Sequence, residues 1–221
     1  MPKHLPKVIS KEDVAKLLAM PNTGCPTGLR NRVMLEVMYR CGLRVSEVTK
    51  LAPTDIDWAN HSLLVRDGKG SKDRVVPFDQ PTLAWLKTWA GARPSRSKNF
   101  FCIIGKNAGG PVSTNYIRQM VKREAIASGI ECPARVSPHK LRHTYATELI
   151  EEGFSIRDIQ TLLGHSDVRT TEIYTHVSMP ELNGKIFQRG QEKEDTDITA
   201  VVKMLLGLST EQKAKLAKVL A

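Results

Sequence analysis

Four short stretches of this 221-residue chain combine arginine, lysine, histidine and tyrosine in a pattern that could act on a phosphate ester. Each stretch alone has an ordinary explanation, such as a solvated cation, an exposed turn or a core tyrosine. Together they supply guanidiniums, an ammonium, imidazoles and a phenol, which can bind, protonate and attack a phosphodiester. The stretches are residues 41–47 (CGLRVSE), 68–74 (GKGSKDR), 139–143 (HKLRH) and 163–176 (LGHSDVRTTEIYTH).

Metal chemistry is the first alternative for these groups. His139 and His143 stand four residues apart, as in the zinc motif H-E-x-x-H, but Lys140 occupies the position of the glutamate that would act as the base. The four cysteines include no C-x-x-C pair, so we interpret them as reduced thiols. The sequence therefore predicts no metal site and no cofactor.

The composition favours a polyanionic partner. Lys and Arg number 33 against 23 acidic residues, a formal net charge of +10, and nucleic acid is the commonest partner of such a chain. With 41% hydrophobic and 25% charged residues, the chain is neither disordered nor a membrane protein. No apolar run approaches the roughly 18 residues of a membrane span, and the N-terminus lacks a signal peptide's apolar core. We expect a cytoplasmic protein.

The elements that must position these groups are mostly helical. Residues 62–65 and 74–77 are strand-like and flank the turn-rich segment 67–73, which predicts a hairpin carrying Lys69. A further strand is predicted at residues 100–104. Helices are predicted at residues 10–20, 30–41, 45–51, 79–91, 113–128, 137–152, 155–163 and 169–176.

A DNA-binding regulator without catalysis is a second alternative. Residues 155–174 form two predicted short helices around Leu163-Gly-His-Ser, which has the pattern of a helix-turn-helix. Such a module would explain the positive charge. It would not explain Arg44, Lys69 or Arg142, because a regulator of this kind has no need of them.

The order of the four stretches resembles the tyrosine recombinase (phage integrase) family, and in particular the catalytic domain of Xer and integron-type recombinases. The pattern is an arginine, a lysine in a hairpin, His-x-x-Arg, a histidine and a tyrosine. The spacings are similar too: 25 residues from Arg44 to Lys69, 23 from Arg142 to His165 and 9 from His165 to Tyr174. The resemblance covers roughly residues 8–180.

This resemblance implies an α+β, mostly helical catalytic domain with a small β-sheet or hairpin. We expect that domain at residues 1–180, followed by a linker and C-terminal helical tail at 181–221. Most family members carry an additional helical DNA-binding domain before the catalytic one, and a chain without it is either a truncated form or a naturally minimal recombinase. Only 43 residues precede Arg44, so we expect that N-terminal domain to be absent.

The resemblance also implies the function of a site-specific DNA recombinase, which cleaves and rejoins double-stranded DNA through a 3′-phosphotyrosyl intermediate. A relaxing topoisomerase of type IB shares this chemistry and is a further alternative. The implied roles are Tyr174 as nucleophile, Lys69 as general acid, His139 as general base, and Arg44, Arg142 and His165 as ligands of the phosphate. Around them, Glu47 and His143 would orient the arginines, and Lys72, Arg74 and Lys140 would contact DNA.

The C-terminal tail has a different character from the rest of the chain. Residues 191–221 hold five lysines and five acidic side chains, so they carry no net charge. Their apolar side chains recur at helical spacing, which predicts an amphipathic helix. Family members hand such a helix to a neighbouring protomer within a tetramer on DNA, and we expect the same here, the alternative being that the helix folds back on its own domain. The apolar stripe consists of Ile198, Val201, Val202, Leu205 and Leu206.

Deletion of residues 191–221 tests this expectation. Burying each apolar side chain of the stripe in a neighbour contributes about 1.5–3 kcal/mol before ordering costs, so the deletion should sharply reduce cooperative assembly and strand exchange. DNA binding by a single protomer should remain nearly unchanged. Gel-shift titrations and sedimentation on DNA measure both quantities. An insoluble or unfolded truncated monomer would instead place the tail in the core of its own domain.

Overall fold

The computed structural model of the chain describes residues 8–66, 73–105, 108–164 and 179–189. Across these ranges it is mostly helical with one three-stranded antiparallel sheet, which confirms the predicted α+β class. No helix within them is long and apolar enough to cross a bilayer. The helices are α1 (Lys11–Ala19), α2 (Pro26–Arg40), α3 (Val45–Lys50), α4 (Gln80–Ala92), α5 (Thr114–Ala127), α6 (Pro138–Glu151), α7 (Ile156–Leu163) and α8 (Met179–Gln188).

Side-chain caps set where most of these helices begin. At five helices, the Ser or Asp before the first turn accepts a hydrogen bond from the backbone N–H three residues on, which satisfies a donor that the helix leaves unpaired. Helix α2 begins at Pro26, earlier than the predicted start at Arg30, because proline is well suited to the first helical position. The capping residues are Ser10, Asp79, Ser113, Ser137 and Ser155.

The sheet consists of β1 (Ile56–Asp57), β2 (Ser62–Val65) and β3 (Arg74–Pro77), in that order. Strands β2 and β3 pair with Val65 opposite Arg74, which confirms the predicted hairpin. Strand β1 is too short to have been recognised from its sequence.

The prediction of a strand at residues 100–104 is wrong. Within that segment the structure has a single bridge, between Cys102 and Pro111. Phe100 and Phe101 are buried in the core, and the Phe100 carbonyl accepts a hydrogen bond from Trp89 Nε1 at 3.0 Å. Phe100 to Cys102 are thus buried in a loop while Ile103 is exposed, and periodicity alone does not separate such a loop from a strand.

Helix α2 forms the centre of the larger core. Its residues Val33, Met34, Leu35, Val37 and Met38 are fully buried, and the helix packs against α4 and α6. The polar side chains of Arg30, Asn31 and Glu36 are buried too, so the helix is covered on most of its surface. Its C-terminal end leads into buried residues 41–43, and there Gly42 contacts α6.

A second cluster joins the end of the described chain to α6 and α7. Leu182 and Ile186 of α8 pack with the buried side chains of those two helices. Arg189 Nη2 lies 2.9 Å from the Glu148 carboxylate, and Phe187 stacks on His61 with ring centroids 4.0 Å apart. Helix α8 is thus fixed to both α6 and the β1–β2 turn. The helix predicted at residues 169–176 and the tail at 191–221 lie outside the described residues.

Substitution of Gly42, between α2 and α3, tests the close packing of this region. Its φ is +62°, and a Cβ there would lie 2.6 Å from Tyr145 Cδ1 and 2.8 Å from Leu163 Cδ2. Gly42→Ala should therefore lower the free energy of unfolding by about 2–4 kcal/mol. Gly91→Ala is the matched control, since nothing lies within 4 Å of its new Cβ and alanine favours helix α4. Urea denaturation measures both, and equal stability of the two variants would contradict the packing argument.

Candidate active site

A cavity of about 560 Å³ lies between the beginnings of α3 and α6 and one face of α5. Arg44, just before α3, and Arg142 of α6 line it, and His139 lies in the first turn of α6. The charged side chains among its described lining residues are all cationic, and they include Arg118 and Lys122 of α5. The cavity is suited to an anionic ligand.

The spacing of Arg44 and Glu47 follows from the first turn of α3. Arg44 is the residue before that helix, and its backbone N–H donates to Glu47 Oε2 at 2.7 Å. The carboxylate closes the turn in the manner of a capping box, in which a glutamate or glutamine stands three positions on. Arg44 is thereby held at the cavity with its side chain 39% exposed.

The Glu47 carboxylate accepts hydrogen bonds from two guanidiniums and lies close to a third. Oε1 receives Arg44 Nη1 at 2.9 Å and Arg74 Nη1 at 2.8 Å, while Arg142 Nη1 lies 3.8 Å from Oε2. Burial alone would raise the pKa of this carboxyl. The hydrogen bonds from Arg74 and from the Arg44 backbone, with the charges of Arg74 and Arg142, lower that pKa below its ordinary value.

Arg142 is more enclosed than Arg44. Its side chain is 8% exposed, and its two terminal nitrogens donate to backbone carbonyls, Nη1 to Gly42 at 2.7 Å and Nη2 to Leu163. These carbonyls belong to the α2–α3 turn and to the end of α7. The guanidinium therefore has a fixed orientation before any ligand is bound.

The structure brings four of the predicted site residues together: Arg44, Glu47, His139 and Arg142. His139 is exposed at the cavity. Four other predicted residues lie outside the described part of the chain, and their roles stay predictions. These are Lys69, Lys72, His165 and Tyr174.

Three predicted residues surround this centre. Lys140 is half-buried in the first turn of α6, where its backbone N–H is capped by Ser137 Oγ at 3.3 Å. Nε2 of His143 is buried and has no hydrogen-bond partner among the described residues. Burial, and then the charges of Lys140 and His139, lower the pKa of His143. Arg74 was predicted to contact DNA, yet its side chain is only 8% exposed and faces Glu47.

Sequence reasoning missed part of the cavity wall. Arg118 and Lys122 stand four residues apart on α5, and that spacing places two cations on one helical face. The spacing was therefore available as a signal. The carbonyls of Gly42 and Leu163, which hold Arg142, have no side-chain signature in the sequence.

The model of the phage integrase family matches residues 7–181. The chain belongs to that family. Tyrosine recombinase XerC 2 of Ralstonia nicotianae is 43% identical to this integrase-family chain over 189 residues, which are 82% of the chain and 53% of that relative. The chain thus spans about half the length of that relative.

Solved structures agree with the family assignment. The crystal structure of XerA recombinase superposes with a TM-score of 0.65 at 31% identity, covering 83% of this chain and 65% of that one. XerH site-specific recombinase, bound to its difH substrate before cleavage, gives a TM-score of 0.63 at 26% identity, covering 80% and 52%. The fold is that of a tyrosine recombinase catalytic domain. Neither the regulator nor the topoisomerase alternative gains support from these comparisons.

Replacement of Glu47 by glutamine tests how the cationic groups are held. Removing one partner of a buried ion pair costs about 3–5 kcal/mol, so Glu47→Gln should lower the free energy of unfolding near pH 7 by a similar amount. Because the folded-state pKa of Glu47 is lowered, its contribution is present above the unfolded-state pKa and disappears as the pH falls through the folded-state value. The two proteins should therefore converge in stability at low pH.

Urea unfolding of both proteins at a series of pH values measures this convergence. Glu131→Gln is the control, since Glu131 is exposed and its replacement should change stability little at any pH. A Glu47→Gln deficit that stays constant down to the lowest pH at which the protein folds would contradict the role given to the Glu47 charge.

Proposed function

We propose that this chain is a site-specific DNA recombinase that cleaves and rejoins double-stranded DNA through a phosphotyrosyl intermediate. The observation that carries the proposal is the pair of guanidiniums at a cationic cavity, with Arg44 held by the Glu47 carboxylate and Arg142 by two backbone carbonyls. The similarity to XerC, XerA and XerH recombinases over four fifths of the chain supports the same activity.

The two arginines suit the electrostatic demand of the reaction. In-line displacement at a DNA phosphodiester increases negative charge on the non-bridging oxygens. A guanidinium is a planar fork that can donate two hydrogen bonds to those oxygens, and its orientation is fixed in advance here by protein carbonyls and a carboxylate. Such preorganised donors stabilise a transition state without reorganisation during the reaction. We assign Arg44 and Arg142 this role, with His165 as a third donor.

The remaining proton transfers are assigned to residues of the same motif. Tyr174 attacks phosphorus, and since a phenol is protonated at neutral pH, His139 accepts its proton. The 5′-oxygen of the leaving deoxyribose becomes a hydroxyl by taking a proton from Lys69. The bond formed is tyrosyl oxygen to 3′-phosphate, and the bond broken is phosphorus to 5′-oxygen. Attack by a second 5′-hydroxyl reverses both changes and reseals the strand without an external energy source.

The substrate proposed for this site is double-stranded DNA. Arg118 and Lys122 extend the cationic lining beyond the two motif arginines, and phosphate contacts of this kind supply most of the affinity for a duplex. XerH was solved on its difH DNA substrate. We further propose that the protein acts in the cytoplasm as a tetramer on DNA, with protomers joined through the tail at residues 191–221.

Covalent capture of DNA tests the proposal. A library of nicked duplexes with a randomised central segment is incubated with the protein and denatured, and the DNA that stays attached is sequenced. The nick allows the cleaved fragment to diffuse away, so a phosphotyrosyl adduct should accumulate on the target sequence. Tyr174→Phe should abolish the adduct and leave DNA affinity within about twofold, because only the attacking oxygen is removed.

Two outcomes would contradict the proposal. An adduct that persists in Tyr174→Phe would assign the nucleophile to another residue. Binding of the duplex library without any adduct from the wild-type chain would favour a regulator. The sequenced adduct also identifies the target site and provides the duplex for quantitative assays.

A further inference from the structure

Arg74 lies in the hairpin that was predicted to contact DNA, but its side chain points into the protein. It begins β3, and each of its three nitrogens donates a hydrogen bond. Nη1 and Nη2 donate to the two oxygens of Glu47 at 2.8 and 2.9 Å, and Nε donates to the Leu162 carbonyl at 2.9 Å. This fork-to-fork geometry fixes the plane of the carboxylate.

Both arginines assigned to the phosphate depend on that carboxylate. Arg44 uses both oxygens of Glu47, one through Nη1 and the other through its backbone N–H. Arg142 lies 3.8 Å from Oε2. A rotation of the Glu47 carboxyl group would therefore displace the donors of Arg44 and change the field at Arg142.

The same three arginines also bind consecutive carbonyls at the end of α7. The Leu162 carbonyl accepts from Arg74, the Leu163 carbonyl from Arg142, and the Gly164 carbonyl from Arg44 at 3.2 Å. These are carbonyls that a helix terminus leaves without intrahelical partners. Arg74 thus touches both structures that hold the phosphate arginines, Glu47 and the last turn of α7.

Gly164 leaves the space that Arg74 needs. Its φ is +63°, and a Cβ at this position would lie 2.9 Å from Arg74 Cδ and 3.1 Å from Nη1. A side chain there would push the guanidinium away from Glu47. The glycine and the arginine therefore fit one another across the gap between β3 and α7.

We propose that Arg74 is a positioning residue for DNA cleavage, which sets the geometry of Arg44 and Arg142 through Glu47 and the end of α7 and does not contact DNA. This inference rests on the proposed recombinase function. Lysine cannot substitute, because a single ammonium does not span both carboxylate oxygens and the Leu162 carbonyl as the planar fork does.

The test compares Arg74→Lys with wild type on the duplex recovered by covalent capture. Misplacing reacting groups by about 1 Å costs on the order of 10²-fold in rate, so single-turnover adduct formation should slow by about 10- to 100-fold. The Kd for the duplex and the salt dependence of binding should stay unchanged. Arg66→Lys is the control: Arg66 also flanks the hairpin and binds a buried carboxylate, Asp55, but its side chain is 59% exposed and lies outside the Glu47 cluster. It should cleave at the wild-type rate.

The pH profile separates positioning from a general loss of stability. Glu47 must be ionised to hold the arginines, and the hydrogen bond from Arg74 helps to keep its pKa low. The groups that face its carboxylate are Arg44, Arg74 and Arg142. In Arg74→Lys the loss of cleavage on acidification should begin at a higher pH than in wild type. A carbon-13 titration of the Glu47 carboxyl carbon should show the same upward shift in the absence of DNA.

Several results would overturn the inference. A wild-type cleavage rate in Arg74→Lys would do so. Weaker DNA binding would also do so if the slope of log K against log salt concentration fell by about one, because that change marks a lost phosphate contact. If Arg74→Lys does not fold, Gly164→Ala provides the second variant. The inference would be overturned if Gly164→Ala kept the wild-type cleavage rate and lost cleavage at the same acidic pH as wild type. Absence of any adduct from wild type and Arg66→Lys would contradict the recombinase function instead, and the carbon-13 titration would still decide whether Arg74 governs Glu47.

Discussion

The buried carboxylate of Glu47 is the contact on which the arrangement of the site depends. Guanidiniums repel one another, and Arg44, Arg74 and Arg142 could not all be held in one small region without an anion between them. A buried carboxylate is costly unless its oxygens are well satisfied, and here each oxygen has more than one donor. Because the three arginines come from the α2–α3 turn, β3 and α6, a single charge aligns three separate parts of the fold.

The sequence carried enough information for helices α1 to α7, the hairpin and the motif residues at the cavity, while α8 was not predicted. Caps such as Ser137 are local signals, and the Arg44–Glu47 spacing follows from one helical turn. The orientation of Arg74 was not predictable in this way, since a strand residue in a basic hairpin can face either side of the sheet. The carbonyls of residues 162–164 carry no side-chain signal, and the apolar run at 100–104 suits a buried loop as well as a strand.

Residues at the end of α7 serve the core and the site at once. The side chains of Leu162 and Leu163 are buried in the cluster shared with α6 and α8, while their carbonyls bind Arg74 and Arg142. A packing change around these leucines would therefore move the acceptors of the arginines as well. Protein interiors are dense enough to transmit such shifts, so changes in the core below the site should alter its geometry.

Two helix macrodipoles meet this site with opposite ends. Helix α6 begins beside the cavity, so its partial positive charge of about half a unit faces the space where a phosphate would lie. Helix α7 ends beside the arginines, so its partial negative charge faces the three guanidiniums rather than the cavity. The backbone thus holds the protein's own cations with one dipole and attracts the ligand's anion with the other.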